Sequence, residues 1–311
     1  MQPLAGLTIL DLTRLLPGAV ATQQLLLAGA KIIKIEEPGI GDYARTMPPL
    51  IDGVGAVFLY TNGGKSSLSL DLKTADGRQQ FLSMCETAGV VVEGFRPGVM
   101  DRLGLGWDSL RKTNPKLIYA SLTGYPPASE WAQMAGHDIN YLALSGVLDL
   151  MGGLAGVQIA DILGGSMQIV NKILLALLEM HRTGQGSRVE VNMLEGVDPL
   201  LILPRAMLAA TGSTPRPGSS VLSGKYPCYG LYATRDGSLL ALGALEEKFW
   251  VNLCRALDRE DLIPMQFAPQ GIATLSAIFG ERSAAEWFEL LKDRDCCVTP
   301  VLPVQPAPPL T

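Results

Sequence analysis

Along the first part of the chain, apolar positions gather in short runs. Between them lie longer stretches in which apolar residues recur every three or four places. Residues 7–12 (LTILDL), 31–36 (KIIKIE), 90–93 and 117–122 (LIYASL) read as buried strands. Residues 67–72 (SLSLDL) alternate, as an edge strand does. Pro17 opens an apolar helix that passes through Leu25, Leu26 and Leu27 and stops at Gly29. Residues 76–87 read as a second helix. Strands separated by helices predict a parallel sheet covered on both faces, with ligands at the carboxyl ends of its strands.

The pattern changes at Asp138. Residues 138–145 read as a capped helix, 164–182 as a long apolar helix ended by Thr183-Gly184, 189–192 as a strand and 194–211 as a helix. Residues 212–223 are rich in Gly, Ser and Pro, the mark of a linker. Beyond them, 229–234 and 238–242 flank Arg235-Asp236-Gly237, a hairpin signal, and helices follow at 248–257 and 284–291. The expectation is an α/β fold: a large Rossmann-like parallel-sheet domain (1–211), a linker (212–223), a smaller α+β domain (224–303) and an extended proline-rich tail (304–311).

Composition narrows the function classes. With 48% hydrophobic and 18% charged residues in 311, the chain can bury a large core. A net charge of −5 argues against a broad nucleic-acid surface. No uninterrupted apolar run has the length of a membrane span, and no basic segment precedes an apolar run at the N-terminus, so neither a membrane nor a signal peptide is expected. Five cysteines without a CxxC predict neither a disulfide framework nor a zinc site, and a reducing, cytoplasmic setting follows.

The chemistry-bearing residues are few. His137 and His181 are the two histidines. His137 precedes a helix and reads either as a residue bonded to its backbone or as an acid/base group; His181 suits a helix C-terminus. Asp161, between apolar residues and the long helix, is a helix cap, a buried carboxyl with a raised pKa, or both. Glu246 and Glu247 fit an acidic first turn. Asn62-Gly63-Gly64-Lys65-Ser66 lacks the spacing of a phosphate loop. Arg96, just past a strand end, is a phosphate ligand or a solvated loop cation.

Taken in order, several strings resemble the family III coenzyme A transferases, and within them the α-methylacyl-CoA racemases. They are LAGLTILDLTRLLPGAVATQQLLLAGAKIIKIEEPGIGD, KSSLSLDLK, EGFRPGVMDRLGLGWDSLRKTNPKLIYASLTGY, AGHDINYLALSGVL, ADILGGSMQIVNKILLALLEMHRTGQGSRVEVNMLEG, ATRDGSLLALGALEEKFW and CCVTPVL. The resemblance implies His137 and Asp161 as the acid/base pair and Glu246 as support for the histidine. It also implies coenzyme A contacts at Lys65, Ser69, Leu70, Asp71, Leu72, Arg96, Gly136, Asp138 and Tyr141. The substrate would be an acyl-CoA thioester, with no metal and no redox cofactor, handled by an interlocked homodimer whose sites draw on both chains.

A thioester acidifies its α-carbon, and inversion there requires one base on each face. His137 and Asp161 would supply them, with backbone amides near Asp161 meeting the enolate oxygen. In the transferases of the family the same aspartate is a nucleophile, which implies coenzyme A transfer as the alternative. A non-catalytic acyl-CoA-binding relative is the third reading, because this chain departs from the family pattern. Two arginines usual around the Lys65 position are replaced by Gly63 and Ser66, and Glu37 stands where a basic residue is common. Lys65, Arg96 and Arg45 remain as cations for the phosphates. The family also continues further past Cys297 than this chain does.

Overall fold

The computed structural model describes residues 1–305. The described residues divide into two compact units, the first of residues 1–148 and 153–202, the second of residues 149–152 and 203–305. The first begins with β1 (Thr8–Leu12), α1 (Leu15–Leu27) and β2 (Lys31–Glu36). A small hairpin, β3 (Leu50–Ile51) and β4 (Val54–Gly55), leads to α2 (Ala56–Asn62), β5 (Ser66–Ser69) and α3 (Ala75–Cys85). Next come β6 (Val90–Glu93), α4 (Val99–Arg102), α5 (Trp107–Thr113) and β7 (Ile118–Thr123). After a long loop follow α6 (Asp138–Ser145), α7 (Val147–Met151), a π-helical segment (Ala160–Met167), α8 (Gln168–Thr183), β8 (Arg188–Asn192) and α9 (Met193–Gly196).

Six strands form one parallel sheet in the order β5-β2-β1-β6-β7-β8. The chain winds outward from β1 through β2 to β5, then returns to pair β6 with β1. The strand order therefore reverses between β1 and β6, where such sheets open a crevice at their carboxyl ends. Every residue of β6 and β7 is buried, as expected of strands covered on both faces. On one face Leu10, Val91 and Tyr119 pack with Phe81, Leu105 and Leu110 from the crossover helices and loops.

The expected alternation of strands and helices is observed, with two corrections. The 164–182 helix starts earlier, as a π-helical turn, and together with α8 makes one continuous helix, Ala160–Thr183. At 24 residues this helix is long and apolar enough to cross a membrane by length and composition alone. Its residues Ile169, Ile173, Ala176 and Leu177 are nevertheless buried, and the helix packs on β7, β8 and α1 as a core element. The single helix expected at 194–211 is broken into α9, a 3₁₀ turn (Asp198–Leu201) and α10 (Ile202–Thr211). Pro199, which has no N–H to donate, interrupts the helical ladder there.

The division between the units falls after Ile202, inside the helical stretch rather than at 211. The second unit carries the expected hairpin, β9 (Tyr229–Ala233) and β10 (Leu239–Gly243). Gly237 in its turn has a φ of 78°, which its missing Cβ allows. Helices α11 (Glu247–Ala256), α12 (Gly271–Phe279) and α13 (Ala284–Leu291) follow, and β11 (Val298–Pro300) completes an antiparallel sheet in the order β11-β10-β9. Its core is aromatic: Trp250, Phe279 and Trp287 are buried, and the last two meet edge to face at 5.4 Å. Of the proline-rich tail, residues 304 and 305 have no regular structure and the rest lies outside the described residues.

Candidate active site and the cleft beside the sheet

His137 and Asp161 come from separate elements of the first unit. His137 is the exposed N-cap residue of α6, its backbone extended (φ −128°, ψ 175°), and its N–H donates to Asn140 Oδ1 at 3.1 Å. Asp161 lies in the first turn of the π-helical segment and is half-buried. The two elements are joined by Asp138, whose Oδ1 accepts the Asp161 N–H at 2.9 Å. Burial pushes the Asp161 carboxyl up to about 6, the neighbouring Asp138 carboxylate adds to the rise, and His137 opposes it. The three side chains thus form one electrostatic group. The Asp161 amide, expected as a donor to an oxyanion, is already taken by Asp138.

Close packing fixes this arrangement. A Cβ on Gly196 would fall 1.9 Å from Gly164 O, and one on Gly164 would fall 2.7 Å from Met193 O. The π-helical segment can approach α9 this closely only with glycine on both sides. Ser166 Oγ donates to Pro17 O at 2.6 Å, tying the segment to α1. Inserted π turns are a frequent feature of functional helices, because the extra residue re-aims the side chains around it. Gly136 and Tyr141, both expected to touch coenzyme A, do structural work here. Tyr141 is buried, its hydroxyl donates to Gly136 O at 2.8 Å, and its ring meets Tyr125 edge to face at 5.1 Å. A Cβ on Gly136 would strike the Tyr125 hydroxyl at 2.4 Å.

A cleft of about 600 Å³, open mouth included, lies at the carboxyl ends of β1, β2, β5 and β6. Leu70, Asp71 and Leu72, to which the resemblance assigned coenzyme A contacts, line it. Ser69 is exposed on β5 and is not part of the lining. Arg14, Glu36, Glu37, Lys73 and Phe95 complete the wall with Leu12, Ile35, Val99 and Leu103. Sequence reasoning passed over Arg14, Lys73 and Phe95. Each stands two to four residues beyond a strand end, a signal available once the strands are placed. His137 and Asp161 do not line this cleft.

The cations expected to meet phosphates have different fates. Lys65 is turned inward, its side chain 1% exposed. Its Nζ donates to Thr22 Oγ1 at 2.8 Å, to Ala19 O and Asn62 Oδ1 at 2.9 Å, and lies 3.5 Å from Asp11 Oδ2. Burial brings its ammonium down to about 8 against the pull of Asp11. Burial alone would raise Asp11, but Lys34, Lys65 and the hydroxyls of Thr13 and Thr22 hold it below the usual carboxylate range. Lys65 is a cation of the core, not of the cleft. Arg45 is bound to Glu36 by its Nε at 2.8 Å and a terminal nitrogen at 2.6 Å. Arg96 is exposed and makes no ion pair among the described residues. Glu246, the expected support for His137, belongs to the second unit, where it is the exposed N-cap residue of α11.

The model of CoA-transferase family III matches residues 4–308. The chain is 35% identical over 313 residues to the human alpha-methylacyl-CoA racemase, covering 96% of this chain and 78% of that protein. It is 38% identical over 222 residues to the acetyl-CoA:oxalate CoA-transferase of Acetobacter aceti, covering 68% of this chain and 56% of that one. A crystal structure of a CAIB/BAIF family protein from Brucella suis superposes with a TM-score of 0.83 at 27% identity, over 97% of this chain and 84% of the other. The winding of the sheet, the His137–Asp161 group and these matches agree: the chain belongs to CoA-transferase family III.

Proposed function

We propose that this chain epimerises the α-carbon of a 2-methylacyl-CoA thioester by two-base proton transfer. The observation that carries the reading is the pairing of an imidazole, His137, with a carboxyl raised to about 6, Asp161. Near neutrality such a carboxyl exchanges readily between acid and base. In one direction neutral His137 removes the α-proton from one face while protonated Asp161 delivers a proton to the other. The reverse reaction exchanges the two roles. Charge that develops on the thioester oxygen would meet the amides of Asp138 and Ile139 in the first turn of α6, since those of Asn140 and Tyr141 donate to His137 O.

In this reading Glu246 of the partner subunit orients His137 within an interlocked homodimer. An exposed leucine face on α8, with Leu175 66% and Leu178 67% exposed, supports a partner copy. Neither a metal nor a redox cofactor has a part in the proposed chemistry.

A second reading, coenzyme A transfer through an Asp161 anhydride, is favoured by the similarity to CoA-transferases at 31–38% identity. Incubation with one epimer of a 2-methylacyl-CoA in deuterated water, with and without a carboxylate acceptor, separates them. Deuterium at the α-carbon with loss of stereochemical purity supports racemisation. Thioesterification of the acceptor without deuterium uptake replaces it with transfer.

A further inference from the structure

At the carboxyl edge of the sheet, three features that would hold a phosphate are already engaged by carboxylates of the chain itself, while Arg96 beyond β6 stays exposed. Asp42 Oδ1 accepts the Leu15 N–H at the start of α1, at 3.1 Å. That is the place where a parallel sheet of this kind often seats an anion. Glu36 holds Arg45 through two bonds. In the cleft, Glu37 bridges two cations: its Oε2 accepts from Arg14 at 2.9 Å and its Oε1 from Lys73 Nζ at 2.6 Å.

The third case decides what the cleft accepts. Arg14, Glu37 and Lys73 all line it, and the rest of the wall is mainly Leu12, Leu70, Phe95 and their apolar neighbours. Arg14 is further held by Tyr43, whose hydroxyl accepts from it at 3.0 Å and whose ring lies 5.2 Å below its guanidinium. The side chains of Arg14 and Glu37 are 29% and 25% exposed, so the pair is partly shielded from water. Lys73, at 73% exposed, is the solvent-facing member of the bridge. Lining charges number two cations against three carboxylates, Glu36, Glu37 and Asp71, so the cleft presents no surplus positive charge. A flat uncharged ring gains from such walls, while a phosphate dianion beside Glu37 meets a like charge.

We propose that Glu37 determines carrier selectivity: by clamping Arg14 and Lys73 it removes the subsite for a terminal ribose phosphate, so that the 3′-dephospho carrier is held as tightly as coenzyme A. The proposal rests on the acyl-CoA reading above and goes beyond it to the part of the carrier remote from the thioester.

Calorimetric titration of the full chain with coenzyme A and with 3′-dephospho-coenzyme A, at low salt, tests it. The wild type is expected to bind the two with dissociation constants within about threefold of each other. Glu37→Gln frees both cations and is expected to tighten coenzyme A about tenfold, leaving the dephospho form within about threefold, with a gain that shrinks as salt is raised. A wild-type preference for coenzyme A beyond threefold overturns the proposal. So does a Glu37→Gln variant that tightens both carriers alike, weakens either, or changes neither. If the wild type binds neither carrier, the acyl-CoA reading itself falls, and this inference with it.

Discussion

Asp161 shows how much a single position depends on its surroundings. Its carboxyl is raised from 3.8 to about 6, first by burial and then by Asp138. The folded state therefore holds this proton more tightly than the unfolded chain does. Stability from this group is fully present below about pH 4 and is lost as pH rises through 6. Discounted for its partial exposure, the loss is roughly 1–2 kcal/mol. Asp161→Asn should remove it, so the stability gap between variant and wild type, followed by denaturant unfolding, should widen in the variant's favour from pH 4 to pH 7. Asp138→Asn keeps an oxygen for the Asp161 amide but removes a charge. The acid limb of the kcat/KM profile should then move to lower pH, and an unmoved limb would remove Asp138 from the group.

Lys65 makes the opposite point. In the sequence it is a lysine among glycines and serines near a strand, and nothing in that pattern says which way it faces. Only the assembled sheet shows Asp11 waiting beneath it. Lys65→Met should cost roughly 3–5 kcal/mol by leaving Asp11 without one of its cations. It should leave KM for an acyl-CoA within about threefold, since no subsite is touched. A selective rise in KM in a fully stable variant would place Lys65 at the ligand after all.

At the scale of elements, the strands were legible because solid apolar runs leave little choice of conformation. Residues 31–36 and 90–93 form strands at the positions read from the sequence. The small strand β11 and helix α12 were not read, the first because three residues carry no period, the second because Gly and Ala dilute its pattern. The π turn at Asp161 was equally hidden: its inserted residue is set by the approach of α9, a contact between segments distant in sequence. Gly196→Ala tests that contact, since its Cβ would meet Gly164 O at 1.9 Å. The substitution should destabilise by roughly 1–3 kcal/mol through overpacking. It should also lower kcat more than it raises KM, because the segment it displaces carries Asp161. Kinetics paired with thermal unfolding read both effects.

For the whole molecule, His137 and Asp161 were candidates because a chain with two histidines offers few imidazoles and an aspartate before a long apolar helix stands out. Their chemistry was not legible from spacing; it came from the resemblance and from the electrostatic group the fold builds. The proposed homodimer is open to a direct check. Charge introduced on the exposed face of α8, as Leu175→Glu with Leu178→Glu, should shift the species seen by light scattering after gel filtration from dimer to monomer. Activity should fall with it if Glu246 acts across the interface. A monomeric variant of full activity would detach Glu246 from the site.

The central claim is that His137 and Asp161 face one carbon from opposite sides, and solvent exchange in the single variants tests it most directly. Each purified epimer of a 2-methylacyl-CoA is incubated in deuterated water with His137→Ala or Asp161→Ala, and α-deuterium and chirality are followed by mass and chiral analysis. Both variants should lose inversion in both directions. His137→Ala should still exchange the epimer whose proton faces Asp161, and Asp161→Ala the other, because removing one base leaves its partner aimed at a single face. Loss of exchange with both epimers in both folded variants would contradict two-base transfer. A dead Asp161→Ala beside a nearly normal His137→Ala would make Asp161 the nucleophile of a coenzyme A transferase.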